Sequence, residues 1–294
     1  MSGFLTEIVA HKMQEVSRSK AQLPLRKLEG TIAPGKRLFK EAIAGNGVKL
    51  ITEIKPASPS LGVLRADLLN LLDKSSDDGA CNTLSSLGAN DACIEFQTPE
   101  NGGIDNAIKD LLSVYNRYAS AISVLTDRKY FSGSLALLSQ VVALSPHPVL
   151  CKDFIIDPYQ VFTARAAGAE AVLLIVKILE KDQLMQLHQL ICQLGMTPVV
   201  EIHNKAELEQ SVALKPEVLL INNRDLDTFI ISLDTTREIA PCVPAGITTI
   251  TASGITCRED LVRLLPFCNR FLIGSALMKS QDLEQTLRGL SKPC

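Results

Sequence analysis

Short apolar segments alternate with helical segments from residue 48 onward, and this alternation constrains the fold more than any other feature. Helical segments such as Pro158–Ala167 and Lys181–Leu194 lie between the apolar runs, and Gly168 and Gly195 stand where these two helices should stop. Eight strands, each followed by a helix, predict a closed (β/α)8 TIM barrel of the α/β class more than an open doubly wound sheet. The predicted strands lie near residues 48–54, 120–125, 148–152, 170–175, 197–202, 217–222, 247–251 and 270–273.

The residues before the first strand predict a helical extension, residues 1–47. A second short helix is expected from Lys36 to Ala44, ending at Gly45. No linker rich in Gly, Ser or Pro divides the chain, so residues 1–294 are predicted to form a single barrel domain. The first helix should place Phe4, Leu5, Ile8, Val9, Met13 and Val16 on its apolar face, with Glu7, His11, Lys12 and Glu15 opposite.

The connection between the first and second strands, about residues 66–115, is longer than a barrel crossover requires. It contains a helical run from Leu68 to Asp73, a possible strand from Ala92 to Phe96, a turn from Thr98 to Gly103 and a helix from Ile104 to Tyr118. A crossover needs only about a dozen residues, so part of this stretch is an insertion. It is expected over the mouth of the barrel, either as a lid or specificity element or as a tolerated surface excursion.

Composition excludes several classes of function. Thirty Lys and Arg balance thirty-two Asp and Glu without a basic block, which argues against nucleic acid as a partner. The N-terminus does not resemble a signal peptide, and the most apolar run, Ala171 to Val176, is too short to span a bilayer. Eight cysteines without a CxxC pair predict reduced thiols and a cytoplasmic location. Four histidines without ligand spacing predict that no metal is bound.

A carboxylate and an amine end the first predicted strand. Glu53 and Lys55 are two residues apart, so they project from the same face of the strand just before a Ser/Pro/Gly loop. Two interpretations remain open on these residues alone: a local ion pair at a strand end, or one wall of an active site. Lys152 ends the third strand and Glu201 the fifth, and convergence of four such charges on one mouth favours the active site.

Glycine–serine pairs follow the last two predicted strands. Ser253 and Gly254 come after the seventh strand, and Gly274 and Ser275 come after the eighth. The loops at these two positions hold phosphate in many barrels, because glycine lets backbone N–H groups approach the anion closely. Turns use the same residues, but the two pairs together predict a phosphate site.

With these residues identified, the chain resembles the indole-3-glycerol phosphate synthase family. The resemblance covers about four-fifths of the chain in the family's order, and it includes the helices before the first strand. It implies conversion of 1-(2-carboxyphenylamino)-1-deoxyribulose 5-phosphate to indole-3-glycerol phosphate, with loss of CO2 and water and without a cofactor. The matching segments are EIKPASPS at 53–60, AISVLTD at 121–127, LCKDFIIDPY at 150–159, INNRDL at 221–226 and FLIGSALM at 271–278.

The resemblance also implies roles for individual residues. Lys152 would be the general acid toward the ketone during ring closure, and Lys55 would hold the anthranilate carboxylate and help donate protons. Glu201 would serve the dehydration as acid or base, while Glu53 and Asn222 hold substrate hydroxyls. The remaining positions are the phosphate cradle of Ser58, Ser253, Gly254, Gly274 and Ser275, the aromatic pocket of Phe131 and Phe154, and the substrate-binding Arg224.

The chain departs from the family pattern at position 252, in the loop after Ser60 and in the length of the first crossover. Ala252 stands where the family usually has glutamate, and Leu61 stands where the loop usually carries lysine. We expect activity to be retained but weakened, in a monofunctional enzyme that acts as a monomer on a small phosphorylated substrate. Two alternatives remain open. The chain could be a barrel with the same phosphate-binding site and a different substrate, or a binding paralogue without catalysis.

Overall fold

Eight parallel strands form a closed barrel in the computed structural model, which describes residues 3–29, 32–69 and 106–292. Around the barrel the order is β1-β8-β7-β6-β5-β4-β3-β2, and β2 pairs with β1 to close it. The predicted strands differ from the observed ones by at most one residue at each end, so the (β/α)8 barrel is confirmed. The strands are β1 Lys49–Ile54, β2 Ala121–Leu125, β3 Val149–Lys152, β4 Ala171–Ile175, β5 Thr197–Ile202, β6 Val218–Asn222, β7 Thr248–Ala252 and β8 Arg270–Ile273.

Helices precede, connect and follow the strands, and short 3-10 turns occupy Val176–Ile178 and Ala240–Cys242. None of the helices in the described ranges is long and apolar enough to cross a membrane. The helices are α1 Gly3–Gln22, α2 Leu25–Glu29, α3 Leu38–Ala42, α4 Ala66–Leu69, α5 Asn106–Tyr118, α6 Arg128–Phe131, α7 Leu135–Leu144, α8 Pro158–Ala166, α9 Lys181–Gln193, α10 Lys205–Val212, α11 Asp234–Ile239, α12 Arg258–Leu264, α13 Ser275–Met278 and α14 Leu283–Ser291.

Local sequence explains why these elements form where they do. Every residue of β4 is buried, as expected for a strand covered by helices outside and by the barrel interior inside. The Asp157 side chain accepts the N–H of Tyr159, and Gln160 accepts the N–H of Asp157, which fixes the start of α8. Gly195 ends α9 with a φ of 72°, a left-handed conformation that a glycine adopts without strain.

The long crossover between β1 and β2 is described only at its two ends. After β1, residues 57–58 and 62–63 pair as a short antiparallel ribbon, and α4 follows. The described chain resumes with α5, which leads into β2 as predicted. The predicted strand from Ala92 to Phe96 and the turn from Thr98 to Gly103 lie outside the described residues.

The first helix packs on the barrel, but its buried face differs from the prediction in two positions. Lys12 is 1% exposed, whereas Met13 is 62% exposed. The prediction of an exposed Lys12 and a packed Met13 was therefore wrong. The reason is geometric, since positions 5, 8, 12 and 16 share one face at helical spacing, and Lys12 lies in the middle of that stripe.

Lys12 can be buried in an apolar stripe because three carboxylates form ion pairs with it there. Its Nζ lies 2.9 Å from Asp127 and 3.0 Å from Asp153, which follow β2 and β3, and 2.8 Å from Glu15. Burial opposes the charge, but these carboxylates outweigh it and raise the pKa of Lys12. An ion network thus fastens α1 over the rim of the barrel where β2 and β3 end.

Replacing Lys12 with methionine is expected to lower the free energy of unfolding by about 3–5 kcal/mol, because Asp127 and Asp153 would stay buried without their cation. Urea unfolding measures the change. Lys20→Met on the same helix is the control, since Lys20 pairs with Asp157 in a partly exposed ion pair and should contribute about 1 kcal/mol or less. Equal losses in the two variants would contradict the assigned role of Lys12.

Candidate active site

Because all eight strands are parallel, their carboxyl ends meet at one rim, and the predicted charges gather there. At the end of β1, the Nζ of Lys55 lies 2.8 Å from Oε1 of Glu53. Both side chains are largely buried, so this pair is shielded from water and its Coulomb attraction is stronger than at a surface. The ion pair predicted as one alternative is therefore present, and it lies at the rim formed by the carboxyl ends of the strands.

A second pair joins β3 and β5. The Nζ of Lys152 lies 3.8 Å from Oε2 of Glu201, and the side-chain amide of Asn222, at the end of β6, donates to Oε1 of Glu201 at 3.0 Å. Glu201 is 1% exposed, whereas the Lys152 side chain keeps some contact with solvent. Lys152 is therefore the more accessible member of the pair to a ligand.

The surroundings of Glu201 decide its charge. Burial alone would raise its pKa, but Lys152, His203 and Asn222 favour the ionised form and hold the pKa at about 2. Glu201 is therefore a carboxylate at neutral pH. Of the two roles expected for it, acid or base, this charge state favours the base.

Asn222 and Arg224 connect the strand ends to one another. The Oδ1 of Asn222 accepts the Ser253 hydroxyl at 2.8 Å and the backbone N–H of Arg224 at 3.1 Å. Arg224 in turn donates from Nη1 to the Ser60 hydroxyl at 3.0 Å, which ties the loop after β6 to the loop after β1. Hydrogen bonds thus link the loops after β1, β6 and β7 with the carboxylate of β5.

A cleft opens beside Lys55. The rings of Phe131 and Phe154 lie 6.1 Å apart on one side of it, as expected for an aromatic pocket. The Ser58 hydroxyl is buried at its edge, and within the described residues it has no hydrogen-bond partner. A bound ligand could supply that partner. The cleft is lined by Phe4, Leu5, Ile8, Lys55, Ser58, Pro59, Ser60, Phe131, Phe154, Arg224, Leu226 and Phe229.

The predicted phosphate cradle follows two strands that are neighbours in the barrel, β7 and β8. In the described part of the chain, the backbone N–H groups of Ser253, Gly254 and Ser275 donate to no backbone or side-chain acceptor. The Ser253 hydroxyl is already engaged with Asn222, so Ser253 would offer its N–H group to an anion. The arrangement suits an anion bound by backbone amides.

Gly274 is required by the close approach of β8 to the first ion pair. A Cβ at position 274 would overlap Oε1 of Glu53 and crowd the rest of that carboxyl group. The backbone just beyond β8 therefore packs closely against the Glu53 carboxyl group that pairs with Lys55. Gly274, predicted as a phosphate-binding residue, thus also makes room for a charged side chain.

The substitution Gly274→Ala is expected to lower kcat/KM by about tenfold, because Glu53 would have to leave its ion pair with Lys55. Steady-state kinetics measures the loss. Gly289→Ala is the matched control, since a Cβ there meets no atom within 4 Å on the surface of α14. That control should keep wild-type kinetics and gain up to about 1 kcal/mol in stability. Wild-type kinetics in Gly274→Ala would show that the position of Glu53 does not matter.

The structure adds residues that the sequence reasoning did not propose for the site. Phe4, Leu5 and Ile8 of α1 reach into the cleft, and Phe229 packs against Phe4 with ring centroids 5.2 Å apart. The apolar face of α1 was predicted, but its docking position could not be derived from periodicity. Among the described residues, no three His, Cys, Asp or Glu side chains are grouped to hold a metal ion.

Comparisons with known proteins agree with one another. The family described as indole-3-glycerol phosphate synthase matches residues 5–89 and 92–290. The tryptophan biosynthesis protein TrpCF of Salmonella typhi is 39% identical over 100% of this chain and 58% of that protein. The indole-3-glycerol phosphate synthase of Polynucleobacter asymbioticus is 36% identical over 96% of both chains. The chain therefore spans little more than half the length of the TrpCF relative.

A solved structure shares the fold at low sequence identity. The 3-hexulose-6-phosphate synthase of Salmonella typhimurium has a TM-score of 0.53 and 13% identity, over 63% of this chain and 92% of that chain. This likeness concerns the barrel architecture and not the reaction.

Proposed function

The chain belongs to the indole-3-glycerol phosphate synthase family, and on that premise we propose that it is a decarboxylating carbon–carbon lyase of tryptophan biosynthesis. It would convert 1-(2-carboxyphenylamino)-1-deoxyribulose 5-phosphate to indole-3-glycerol phosphate, releasing CO2 and water. The observation that carries the proposal is the pair of buried lysine–glutamate contacts, Lys55 with Glu53 and Lys152 with Glu201, on one rim of the barrel. A scaffold would have no need to keep two lysines on that rim beside an open cleft.

Ring closure needs a proton donor and a grip on the substrate carboxylate. The ring carbon that carries the carboxylate bonds to the ketone carbon, and the ketone oxygen must gain a proton as its charge develops. Lys152 is assigned as that donor, because its ammonium group is partly accessible and is held by Glu201. Lys55 lines the cleft, where its charge can hold the carboxylate before CO2 leaves.

Dehydration needs a base, because a proton and a hydroxyl group must leave together as water. Glu201 is assigned to that step, since its ionised carboxylate accepts a proton. Glu53 and Asn222 are assigned to the substrate hydroxyls. The aromatic ring would lie against Phe131 and Phe154, and Arg224 would contact the substrate from the opposite loop.

The phosphate group would be bound by the loops after β7 and β8. Ser253, Gly254, Gly274 and Ser275 follow these adjacent strands, and the N–H groups of Ser253, Gly254 and Ser275 have no acceptor among residues 3–29, 32–69 and 106–292. Ser58 is assigned to the edge of the same site because its buried hydroxyl has no hydrogen-bond partner in the described part of the chain. Amide donors suit a phosphate because several can converge on its oxygens.

The direct test is an assay with purified protein and 1-(2-carboxyphenylamino)-1-deoxyribulose 5-phosphate. The indole product fluoresces, so turnover appears as a rise in fluorescence that scales with enzyme concentration. CO2 release measured in parallel should match product formation one to one. Absence of both signals at high protein concentration would overturn the proposal.

One observation favours a second candidate function. Ala252 ends β7 beside Asn222 and is buried, so the carboxylate that the family usually places there is missing. A phosphate-ester-binding paralogue with a different substrate, or without catalysis, would tolerate this loss. Binding of the substrate without turnover would support this candidate and exclude the first.

We also propose the binding partners, the oligomeric state and the cellular location of the enzyme. No cofactor, metal, nucleic acid or membrane is needed for the assigned chemistry, so its partner would be a small phosphorylated molecule. The chain would act as one barrel domain, as a monomer, in the cytoplasm. Sedimentation of the purified protein tests the oligomeric state.

A further inference from the structure

A histidine just beyond β5 contacts the carboxylate assigned as the base. The Nε2 of His203 lies 3.3 Å from Oε1 of Glu201, and its Nδ1 lies 3.0 Å from Oε2 of Glu207 on α10. The ring is 5% exposed. His203 has no part in the chemistry assigned above, so its place between two carboxylates calls for another explanation.

The two contacts define the charge of the ring. A neutral imidazole carries one N–H group and one lone pair, so one of the two carboxylates would face a lone pair. Both nitrogens can donate only in the imidazolium form. Glu207 is an acceptor at both oxygens, because Oε2 also accepts the backbone N–H of His203 and Oε1 accepts the Asn204 amide.

The surrounding charges balance when the ring is protonated. Glu201 and Glu207 carry two negative charges, and His203 and Lys152 carry two positive charges. Lys177, beyond β4, also acts on Glu207 but is paired with Asp225 and Asp227. Loss of the proton from His203 would leave an excess negative charge in a buried cluster, which burial penalises.

We propose that His203 is a positioning residue for Glu201, with Glu207 as the anchor that orients its ring. Glu207 holds the Nδ1–H group, so the Nε2 atom lies 3.3 Å from Oε1 of Glu201, while Oε2 lies 3.8 Å from Lys152. This inference rests on the proposed function, in which Glu201 is the base. It also predicts that activity falls at alkaline pH, when His203 loses its proton.

The charge state of the ring has a consequence for pH. Burial would lower the pKa of His203, but Glu201 and Glu207 outweigh it and raise the pKa to about 9. A pKa raised above its ordinary value of 6.5 stabilises the folded state most below pH 6.5. That contribution is lost as the pH rises through 9.

The test replaces His203 with glutamine, which can still donate a hydrogen bond but cannot carry the charge. We expect kcat at pH 7 to fall by about tenfold to hundredfold, with KM within about twofold, since the positive charge 3.3 Å from Oε1 of Glu201 is lost. The alkaline limb of the kcat profile near pH 9 should disappear. Glu207→Gln, a second variant that keeps the ring, should move that limb to lower pH.

His188→Gln is the matched control, because His188 is also a buried histidine but lies on α9 away from Glu201. It should keep the wild-type kcat and pH profile. Circular dichroism verifies that each variant is folded. A wild-type kcat and an unmoved alkaline limb in both His203→Gln and Glu207→Gln would overturn the proposal.

A second readout does not depend on turnover. In ¹⁵N NMR of the wild-type protein, the His203 ring should titrate near pH 9 and should stay protonated at pH 7. Titration near pH 6.5 would overturn the proposal even in an active enzyme. No turnover in a protein whose His203 titrates near pH 9 would instead overturn the proposed function, and with it the catalytic consequence of this contact.

Discussion

Substitution of Lys152 by methionine is expected to lower kcat by about 10²- to 10⁴-fold, the range in which a positioned proton donor accelerates a reaction. Methionine preserves the apolar stem at the end of β3 but has no proton to give to the ketone oxygen. Glu201 would also lose the cation that lies 3.8 Å from its Oε2. Single-turnover measurements should locate the loss in ring closure, while binding of the phosphorylated product remains within severalfold of wild type.

Lys177→Met is the matched control for this substitution. The two lysine side chains are equally buried, at 18% and 19% exposure, and both lie beside carboxylates on the same rim. Lys177, however, pairs with Asp227 at 2.7 Å and has no role in the proposed chemistry. We expect kcat within severalfold of wild type for the control. Similar rates in the Lys152 and Lys177 variants would show that Lys152 is not the acid.

The strands of this barrel could be predicted because their burial is two-sided. β4 and β6 are buried along their whole length, so each reads as an unbroken apolar run between polar turns. The burial of the strands on both faces also made it possible to locate the candidate active site. A charge that ends such a run, such as Lys152 or Glu201, lies at the rim by necessity, because the strand direction is the same throughout the barrel.

Contacts between distant segments could not be predicted in this way. Lys12 was predicted to be exposed because it is charged, and its partners Asp127 and Asp153 are more than a hundred residues away in the chain. The apolar lining of the cleft by Phe4 and Ile8 depends on the same docking of α1. Periodicity describes which residues share a face and not what that face meets.

The hydrogen-bond assignments also needed the structure. The sequence placed Ser253 in a phosphate cradle, yet its hydroxyl donates to Asn222 and only its backbone remains for an anion. His203 lay two residues beyond a predicted catalytic glutamate, but a strand end alone does not show whether the ring turns toward Glu201. Ser253 and His203 could each have contacted several partners, and only the tertiary packing determines which partner each side chain meets.

Substitution of Glu201 by glutamine is expected to lower kcat by about 10²- to 10³-fold, because the carboxamide cannot accept the proton that dehydration releases. Ring closure should be less affected than dehydration, so an intermediate that has lost CO2 but not water should accumulate. Rapid quenching with chromatography of the quenched mixture detects it. Glu170→Gln is the control, since Glu170 is also a well-buried, ion-paired carboxylate but precedes β4 at the opposite end of the barrel.

The pH dependence of this variant separates a base from an acid. The pKa of Glu201 is about 2, so the wild-type carboxylate stays ionised as the pH falls to 5. The ratio of wild-type to Glu201→Gln rates should therefore be constant from pH 7 to pH 5. A group that works as an acid with a pKa near 6 would become protonated over this range, and the ratio would change steadily. A steady change of the ratio would contradict the proton-accepting role of Glu201, because a carboxylate that is ionised throughout this range keeps its advantage over glutamine unchanged.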